Sequence, residues 1–149
     1  MRILLLNGPN LNTLGQREPE VYGHLTLADI EARVTERAKA LGAELRAFQS
    51  NHEGGLIDYL QQEAPHADGI VINPGAFSHY SLALRDTLAG SGKPAIEVHI
   101  SNIYAREPFR RRSVTAGACR GVITGLGWRG YLAALETLVE LLKEEGTGE

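Results

Sequence analysis

Short apolar runs alternate along this chain with segments in which apolar residues recur at helical spacing. Runs of this length, bounded by Gly, Pro or polar residues, are typical of buried strands. Strands that alternate with helices form a parallel sheet covered on both faces. The pattern therefore predicts one α/β domain, a three-layer α/β/α sandwich of flavodoxin-like type with strand order 2-1-3-4-5. The five predicted strands are Ile3–Leu6, Glu44–Gln49, Gly69–Asn73, Ala95–Ile100 and Gly121–Thr124.

Apolar periodicity also predicts four helices. Thr26 is placed to cap the first of them, with Asp29 three positions later, and Gly42 is placed to end it. The third is expected to close at Gly90 and Gly92. The helices are predicted over about 27–41, 56–63, 80–88 and 131–142, and the tail from 147 to 149 is expected to fray.

Length, charge and cysteine content exclude several classes of protein. The 149 residues suffice for one domain with a sizeable core, and a net charge of −3 gives no bulk attraction to nucleic acid. Cys119 is the single cysteine, which excludes an internal disulfide framework and a cysteine-based metal site. No apolar run approaches the ~18 residues of a membrane span, and the N-terminus is too short for a signal peptide. We therefore expect a cytoplasmic protein with no membrane partner.

Polar and titratable side chains follow the carboxyl ends of the predicted strands, whereas the opposite ends carry no such enrichment. Open α/β sheets bind ligands at their carboxyl edge, where the strand order reverses. This convergence therefore predicts a functional site there. The residues concerned are Asn7, Asn10, Asn12, Asn51, His52, Glu53, Asn73, Ser78, His79, Glu97, His99, Ser101 and Asn102.

The connection from Asn7 to Gly23 is long for a compact domain and is expected to lack secondary structure, a combination that is usually functional. It brings Arg17 and Tyr22 within five positions of each other and has Gly15 and Gly23 on either side. The segment from about 15 to 23 is therefore interpreted as an active-site lid. A tyrosine is a poor base unless its phenolate is stabilised, and Arg17 could supply the positive charge. The alternative is a tyrosine that only packs the loop against the domain.

Glu97 and His99 lie two apart on a strand and therefore point to the same face. A carboxylate beside an imidazole fixes its tautomer and favours its protonated form, which suits His99 to act as a general acid. The alternative is a histidine that makes only structural hydrogen bonds. Arg110 and backbone amides after the fourth strand could hold a carboxylate, which favours a small anionic substrate.

Other chemistries are not supported by the residues near the predicted site. The only lysines, Lys39, Lys93 and Lys143, are not placed for a Schiff base. The chain has no nucleotide-binding glycine loop, no Gly-x-Ser-x-Gly elbow and no metal-ligand histidine spacing. No cofactor or metal is therefore expected.

Three long motifs resemble the type II 3-dehydroquinate dehydratase family, and the resemblance extends over essentially the whole chain. They are Asn-Gly-Pro-Asn-Leu-Asn-x-Leu-Gly-x-Arg-Glu-Pro-x-x-Tyr-Gly at 7–23, Asn-Pro-Gly-Ala-Phe-Ser-His-Tyr-Ser at 73–81 and Glu-Val-His-Ile-Ser-Asn-Ile-Tyr-Ala-Arg-Glu-x-Phe-Arg at 97–110. The resemblance implies a shikimate-pathway hydro-lyase that converts 3-dehydroquinate to 3-dehydroshikimate through an enolate and without a cofactor.

The resemblance also implies roles for individual residues. Tyr22 would abstract the C2 proton, Arg17 would stabilise the phenolate, and His99 would protonate the departing C1 hydroxyl. Asn10 would orient a water on the enolate oxygen, and Glu97 would orient His99 or Tyr22. The substrate's hydroxyls and carboxylate would be held by Asn73, His79, Ile100, Ser101 and Arg110.

The resemblance further implies an assembly. The family forms dodecamers of four trimers, in which an aspartate matching Asp86 reaches the site of a neighbouring subunit. From the sequence alone, Asp86 could equally be a plain surface acid on the third helix. Two competing functions stay open at this point: a non-enzymatic small-molecule binding module, and another lyase or isomerase acting next to a ketone.

Overall fold

A computed structural model describes residues 1–146 of the chain, so the expected fraying of the tail lies outside the described residues. Five strands form one parallel sheet in the order β2-β1-β3-β4-β5, which confirms the predicted fold class and strand order. The strands are β1 (Arg2–Asn7), β2 (Glu44–Gln49), β3 (Gly69–Asn73), β4 (Ala95–His99) and β5 (Gly121–Thr124).

Helices cover both faces of the sheet because alternate residues of the central strands are apolar on both sides. Ile3 and Leu5 of β1 belong to one core, under the second and fifth helices, whereas Leu4 and Leu6 belong to the other, under the third and fourth. The helices are α1 (Pro19–Tyr22), α2 (Leu27–Ala40), α3 (Glu53–Glu63), α4 (Leu82–Ser91) and α5 (Arg129–Gly146).

Capping residues set the starts of α2 and α4. Thr26 and Asp29 form the predicted capping box at the start of α2, each side chain bonding to the other residue's backbone N–H. The start of α4 was predicted at position 80, but it begins at Leu82 because the Ser81 hydroxyl accepts from the N–H of Leu84. Gly92, at a φ of 68°, ends that helix in the left-handed conformation, whereas Gly90, which was also expected to close it, lies within α4.

The connection between β1 and α2 is more ordered than the sequence predicted. The expectation that it lacks secondary structure was wrong, because it contains a 3₁₀ turn at Leu11–Thr13 and the single helical turn α1. Leu11 and Leu14 are buried and hold this segment on the core, and Pro19 starts α1 with its φ already helical. As a result, Tyr22 sits at the end of a short helix rather than on a free loop.

The strand register brings the carboxyl ends of the strands level with one another. Asn7 pairs with Asn73, and His99 pairs with Thr124. Their side chains, and those of the connections that follow, therefore meet at one edge of the sheet. No helix in the described part of the chain is long and apolar enough to cross a membrane.

Candidate active site

A cavity opens at the carboxyl edge of the sheet, between the β1–α2 connection and the segments that follow β3 and β4. Nine of the eleven residues that were given a catalytic or substrate-binding role from the sequence contribute to its wall, and so does one arginine that was given none. The wall is formed by Pro9, Asn10, Leu11, Arg17, Tyr22, Asn73, Gly75, Ala76, His79, His99, Ile100, Ser101, Ile103, Arg106 and Arg110. Of the other two selected residues, Glu97 lies behind His99 and Asp86 lies elsewhere.

His99 is held by Glu97 at the end of β4. Its Nε2 lies 2.8 Å from Oε2 of Glu97, and both side chains are buried. A nitrogen facing a carboxylate carries the proton, so Nε2–H points to Glu97 and Nδ1 is the nitrogen left for the cavity. In its doubly protonated form, His99 can therefore donate from Nδ1 to a ligand while its other proton stays on Glu97.

Three donors surround the Glu97 carboxylate. Besides His99, the Ser113 hydroxyl donates to Oε2 at 2.7 Å and the Thr115 hydroxyl donates to Oε1. Complete burial by itself would raise the pKa of Glu97, but the hydrogen bonds from His99, Thr115 and Ser113, together with the positive charge of His99, outweigh it and lower that pKa. Glu97 is thus an ionised carboxylate without contact with solvent.

Tyr22 contacts two arginines. Nη1 of Arg106 donates to the phenolic oxygen at 2.8 Å, and the Arg106 guanidinium also bonds to Ser101 Oγ at 3.2 Å. The Arg17 guanidinium lies over the ring, 4.6 Å from its centroid. Arg17 therefore faces the ring of Tyr22, and Arg106 is the arginine that meets its oxygen.

Arg106 was not selected from the sequence as a partner of Tyr22, because only the arginine on the same loop, Arg17, was considered. Arg106 and Tyr22 are 84 positions apart. A signal was present, since Arg106 falls inside the third motif, between Ser101 and Arg110, in a segment that follows a strand at the active edge.

Asn73 is anchored by a residue of α5. Its Nδ2 donates to the Tyr131 hydroxyl at 2.9 Å, and its Oδ1 accepts from the N–H of Gly75 at 3.1 Å. The Tyr131 hydroxyl in turn donates to Oδ1 of Asn7 at 2.6 Å. Burial raises the pKa of Tyr131, so its hydroxyl stays a donor. The apolar stripe of α5 thus also fixes an amide in the cavity wall.

His79 presents a defined tautomer to the cavity. Its Nδ1 lies 2.7 Å from the carbonyl oxygen of Arg112, so that nitrogen carries a proton, and Nε2 of the neutral ring is an acceptor. The ring stacks against that of His99, with centroids 6.5 Å apart. Phe109 meets it edge-on at 6.3 Å. His79 can therefore accept a hydrogen bond from a hydroxyl group beside His99.

Arg110 and Asn10 complete the polar wall. Arg110 pairs with Glu107 at 2.8 Å, whereas the neighbouring Arg111 is exposed. Asn10 adopts a φ of 68°, and its N–H donates to Oδ1 of Asn51 at 2.9 Å, which links the connection after β1 to the end of β2. The segments that follow β1 and β2 are thus tied together beside the cavity.

Other residues singled out at the carboxyl ends do not reach the cavity wall, and neither does Asp86. Asn12 and His52 are exposed, and Glu53 begins α3. Asp86 is exposed on α4 and lines a separate groove against α3, together with Leu60. Within residues 1–146, no three His, Cys, Asp or Glu side chains are grouped as metal ligands would be.

Comparisons with known proteins agree with the motifs. The family model described as "Dehydroquinase class II" matches residues 1–139. A 3-dehydroquinate dehydratase of Roseiflexus castenholzii is 62% identical over 139 residues, covering 93% of this chain and 88% of the relative. A 3-dehydroquinate dehydratase of Anoxybacillus flavithermus is 54% identical over 98% of this chain and 99% of the relative.

The fold comparison points to the same family. The crystal structure of type II dehydroquinase from Butyrivibrio crossotus superposes with a TM-score of 0.90 at 48% identity, covering 93% of this chain and 97% of the other. Sequence and fold therefore match members of one family over nearly their full length. The chain belongs to the class II dehydroquinase family, the type II 3-dehydroquinate dehydratases.

Proposed function

We propose that Tyr22 is the base and His99 the acid of the dehydration of 3-dehydroquinate. Membership of the family makes the chain a hydro-lyase of the shikimate pathway, and the proposal concerns which residues perform the chemistry. The observation that carries it is that one cavity holds a phenol bonded to a guanidinium and an imidazole bonded to a buried carboxylate.

The proposed reaction has two proton transfers. The Tyr22 phenolate, stabilised by Arg106 and with Arg17 over its ring, removes the C2 proton and leaves an enolate. The C1–O bond then breaks, the enolate electrons form the C1–C2 double bond, and the departing hydroxyl takes a proton from Nδ1 of His99 to leave as water. Proton return from Tyr22 and to His99 regenerates both groups. The products are 3-dehydroshikimate and one water, and no cofactor takes part.

The remaining wall residues are proposed to bind and orient the substrate. Arg110 offers a guanidinium to a carboxylate, and Nε2 of His79 offers an acceptor to a hydroxyl. Asn73, Ile100 and Ser101 contribute further groups around the same cavity, with Asn73 anchored by Tyr131. Asn10 is proposed to orient a water on the enolate oxygen, and Glu97 to orient His99.

The surroundings of the site are proposed in the same way. Residues 1–149 would form one catalytic domain in the cytoplasm, with 15–23 as a lid that carries Arg17 and Tyr22 over the substrate. The chain is proposed to assemble as a dodecamer of four trimers in which Asp86 reaches a neighbour's site. Support for an interface along α4 comes from Tyr80 and Leu82, each 62% exposed beside that helix's first turn.

The assignment of the base is tested by Tyr22→Phe. Incubation with 3-dehydroquinate, followed by the enone absorbance of the product, should show kcat lowered by roughly 10²–10⁴-fold, since a positioned proton-transfer group contributes that much. Tyr59→Phe is a matched control, because Tyr59 stacks on Phe48 away from the cavity. Near-normal turnover by Tyr22→Phe would remove Tyr22 as the base. No product with the unaltered enzyme would favour a binding module instead.

A further inference from the structure

Glu97 is unusual among the charged residues of this protein. It is completely buried, and within the described part of the chain no lysine or arginine forms an ion pair with it. A buried carboxylate in such surroundings ordinarily takes up a proton, because burial penalises the charged form. The groups that keep Glu97 charged must therefore be its hydrogen-bond donors.

Two of those donors come from one short segment that follows Arg110, Arg111 and Arg112. Ser113 donates to Oε2, the oxygen that also receives His99, and Thr115 donates to Oε1, so each carboxylate oxygen has a hydroxyl partner. Ser113 Oγ itself accepts from the N–H of Ala116 at 3.1 Å. That bond occupies an acceptor position on Ser113 and directs its hydroxyl hydrogen to Glu97.

We propose that Ser113 and Thr115 are positioning residues for the acid: their hydroxyls stabilise the Glu97 carboxylate, and that carboxylate in turn holds His99 in the orientation that turns Nδ1 to the cavity. The proposal rests on the function proposed above for His99. Neither hydroxyl lines the cavity wall, so both act through Glu97 rather than on the substrate.

The other groups around the carboxylate do not provide this stabilisation. Cys119 packs nearby, and burial, followed by the charge of Glu97, raises its pKa to about 12, so it stays a neutral thiol. Arg85, from α4, directs Nη1 to the carbonyl oxygen of Val114 at 2.8 Å rather than to Glu97. His79 stacks on His99 from the far side. His99 is thus the one group facing Glu97 that can pair with it as a cation.

Loss of a hydroxyl has a consequence for the protonation of Glu97. Without one of its donors, the buried carboxylate binds a proton at higher pH, because less hydrogen bonding then opposes the effect of burial. The pH profile of turnover alone does not isolate this change, because the proposed reaction also needs Tyr22 as a phenolate. The infrared C=O stretch of a protonated carboxyl reports on Glu97 directly when Glu97→Gln supplies the blank.

The test compares Ser113→Ala and Thr115→Val with Thr115→Ser, which keeps the hydroxyl. The expected result is that the infrared C=O band of protonated Glu97 appears about one pH unit higher in each of the first two, the size that loss of a bond to a charged group implies. Over that pH range, kcat relative to the unaltered enzyme at the same pH should fall. KM should change little, and Thr115→Ser should behave as the unaltered enzyme. Thr35→Val serves as a control, because Thr35 is exposed on α2 and belongs neither to the cavity wall nor to α4.

Two outcomes would overturn the proposal. One is a fall in kcat with the infrared band of Glu97 unmoved, which is the effect of a purely structural role. The other is an unmoved band with normal turnover in both variants. Ser113 is only half-buried, so Ser113→Ala keeps the test available even if Thr115→Val does not fold. His99→Gln separates failure of the proposed function from failure of this inference. An active His99→Gln would remove His99 as the acid. An inactive His99→Gln, together with an unmoved Glu97 band in the Ser113 and Thr115 variants, would overturn this inference alone.

Discussion

Two guanidinium groups contact the phenol of Tyr22, and they contact different parts of it. Arg106 donates directly to the oxygen on which negative charge resides in the phenolate. Arg17 lies over the ring face, where a cation interacts with the π-electrons more weakly than with an oxyanion. At the residue scale, Arg106 is therefore expected to be the main electrostatic support of the proposed base.

Removing the charge of Arg106 tests this assignment. Arg106→Gln keeps hydrogen-bond donors but not the charge, and it should lower kcat by roughly 10²–10³-fold, as loss of a preorganised donor to a developing anion does. Steady-state kinetics with 3-dehydroquinate measure the effect. Arg111→Gln is the matched control, since Arg111 is exposed in the same segment. A rise in KM with unchanged kcat would instead make Arg106 a substrate-binding residue.

At the scale of elements, the connection between β1 and α2 combines a fixed half with a half that is suited to move. Leu11 and Leu14 are buried and fix its first half. The second half, α1, is one turn long and contains no buried residue. Gly23, at a φ of 85°, ends α1 in a conformation that other residues rarely adopt. This division suits a lid that is hinged near Gly23 and Gly15.

Limited proteolysis tests the lid. Trypsin cleaves after arginine, so the bond after Arg17 reports on the accessibility of this segment. Saturating substrate should slow cleavage there several-fold, because a closed lid holds the bond against the cavity. Cleavage after Lys143, which is exposed near the end of α5, should be unchanged and serves as the internal control. Equal protection at both bonds would point to general stabilisation rather than lid closure.

At the scale of the whole molecule, the position of Asp86 bears on whether one chain completes its own site or a neighbouring chain contributes to it. Asp86 lies on α4, in the groove against α3, and is not part of the cavity wall of its own chain. Its proposed role therefore requires a neighbouring chain to approach along α4, where Tyr80 and Leu82 are exposed. The assembly and the activity are then linked.

The link can be measured with Asp86→Ala. Sedimentation should give a particle of twelve times 16.2 kDa for both the unaltered chain and the variant, while kcat/KM of the variant falls about tenfold, the effect of one lost polar contact. Asp58→Ala is the control, because Asp58 is an exposed acid on the neighbouring α3. A monomer with full activity would contradict both the dodecamer and the role of Asp86.

The sequence by itself determined the order of the strands, the layers of the fold and the edge that carries the site. These follow from local rules: strand and helix periodicity select the buried faces, and Thr26 with Asp29 fixes a helix start. It also predicted that Glu97 and His99 would share a face, because side chains alternate along a strand.

Only the tertiary structure decided which residues from distant parts of the chain bond to Tyr22, Glu97 and Asn73. It brings Arg106 to Tyr22, Ser113 and Thr115 to Glu97, and Tyr131 to Asn73. These partners are 16 to 84 positions apart, and their meeting depends on the paths of loops and the docking of α5 rather than on any local period. Local patterns place a side chain on a face of its element, but only packing of the elements selects the partner that it meets there.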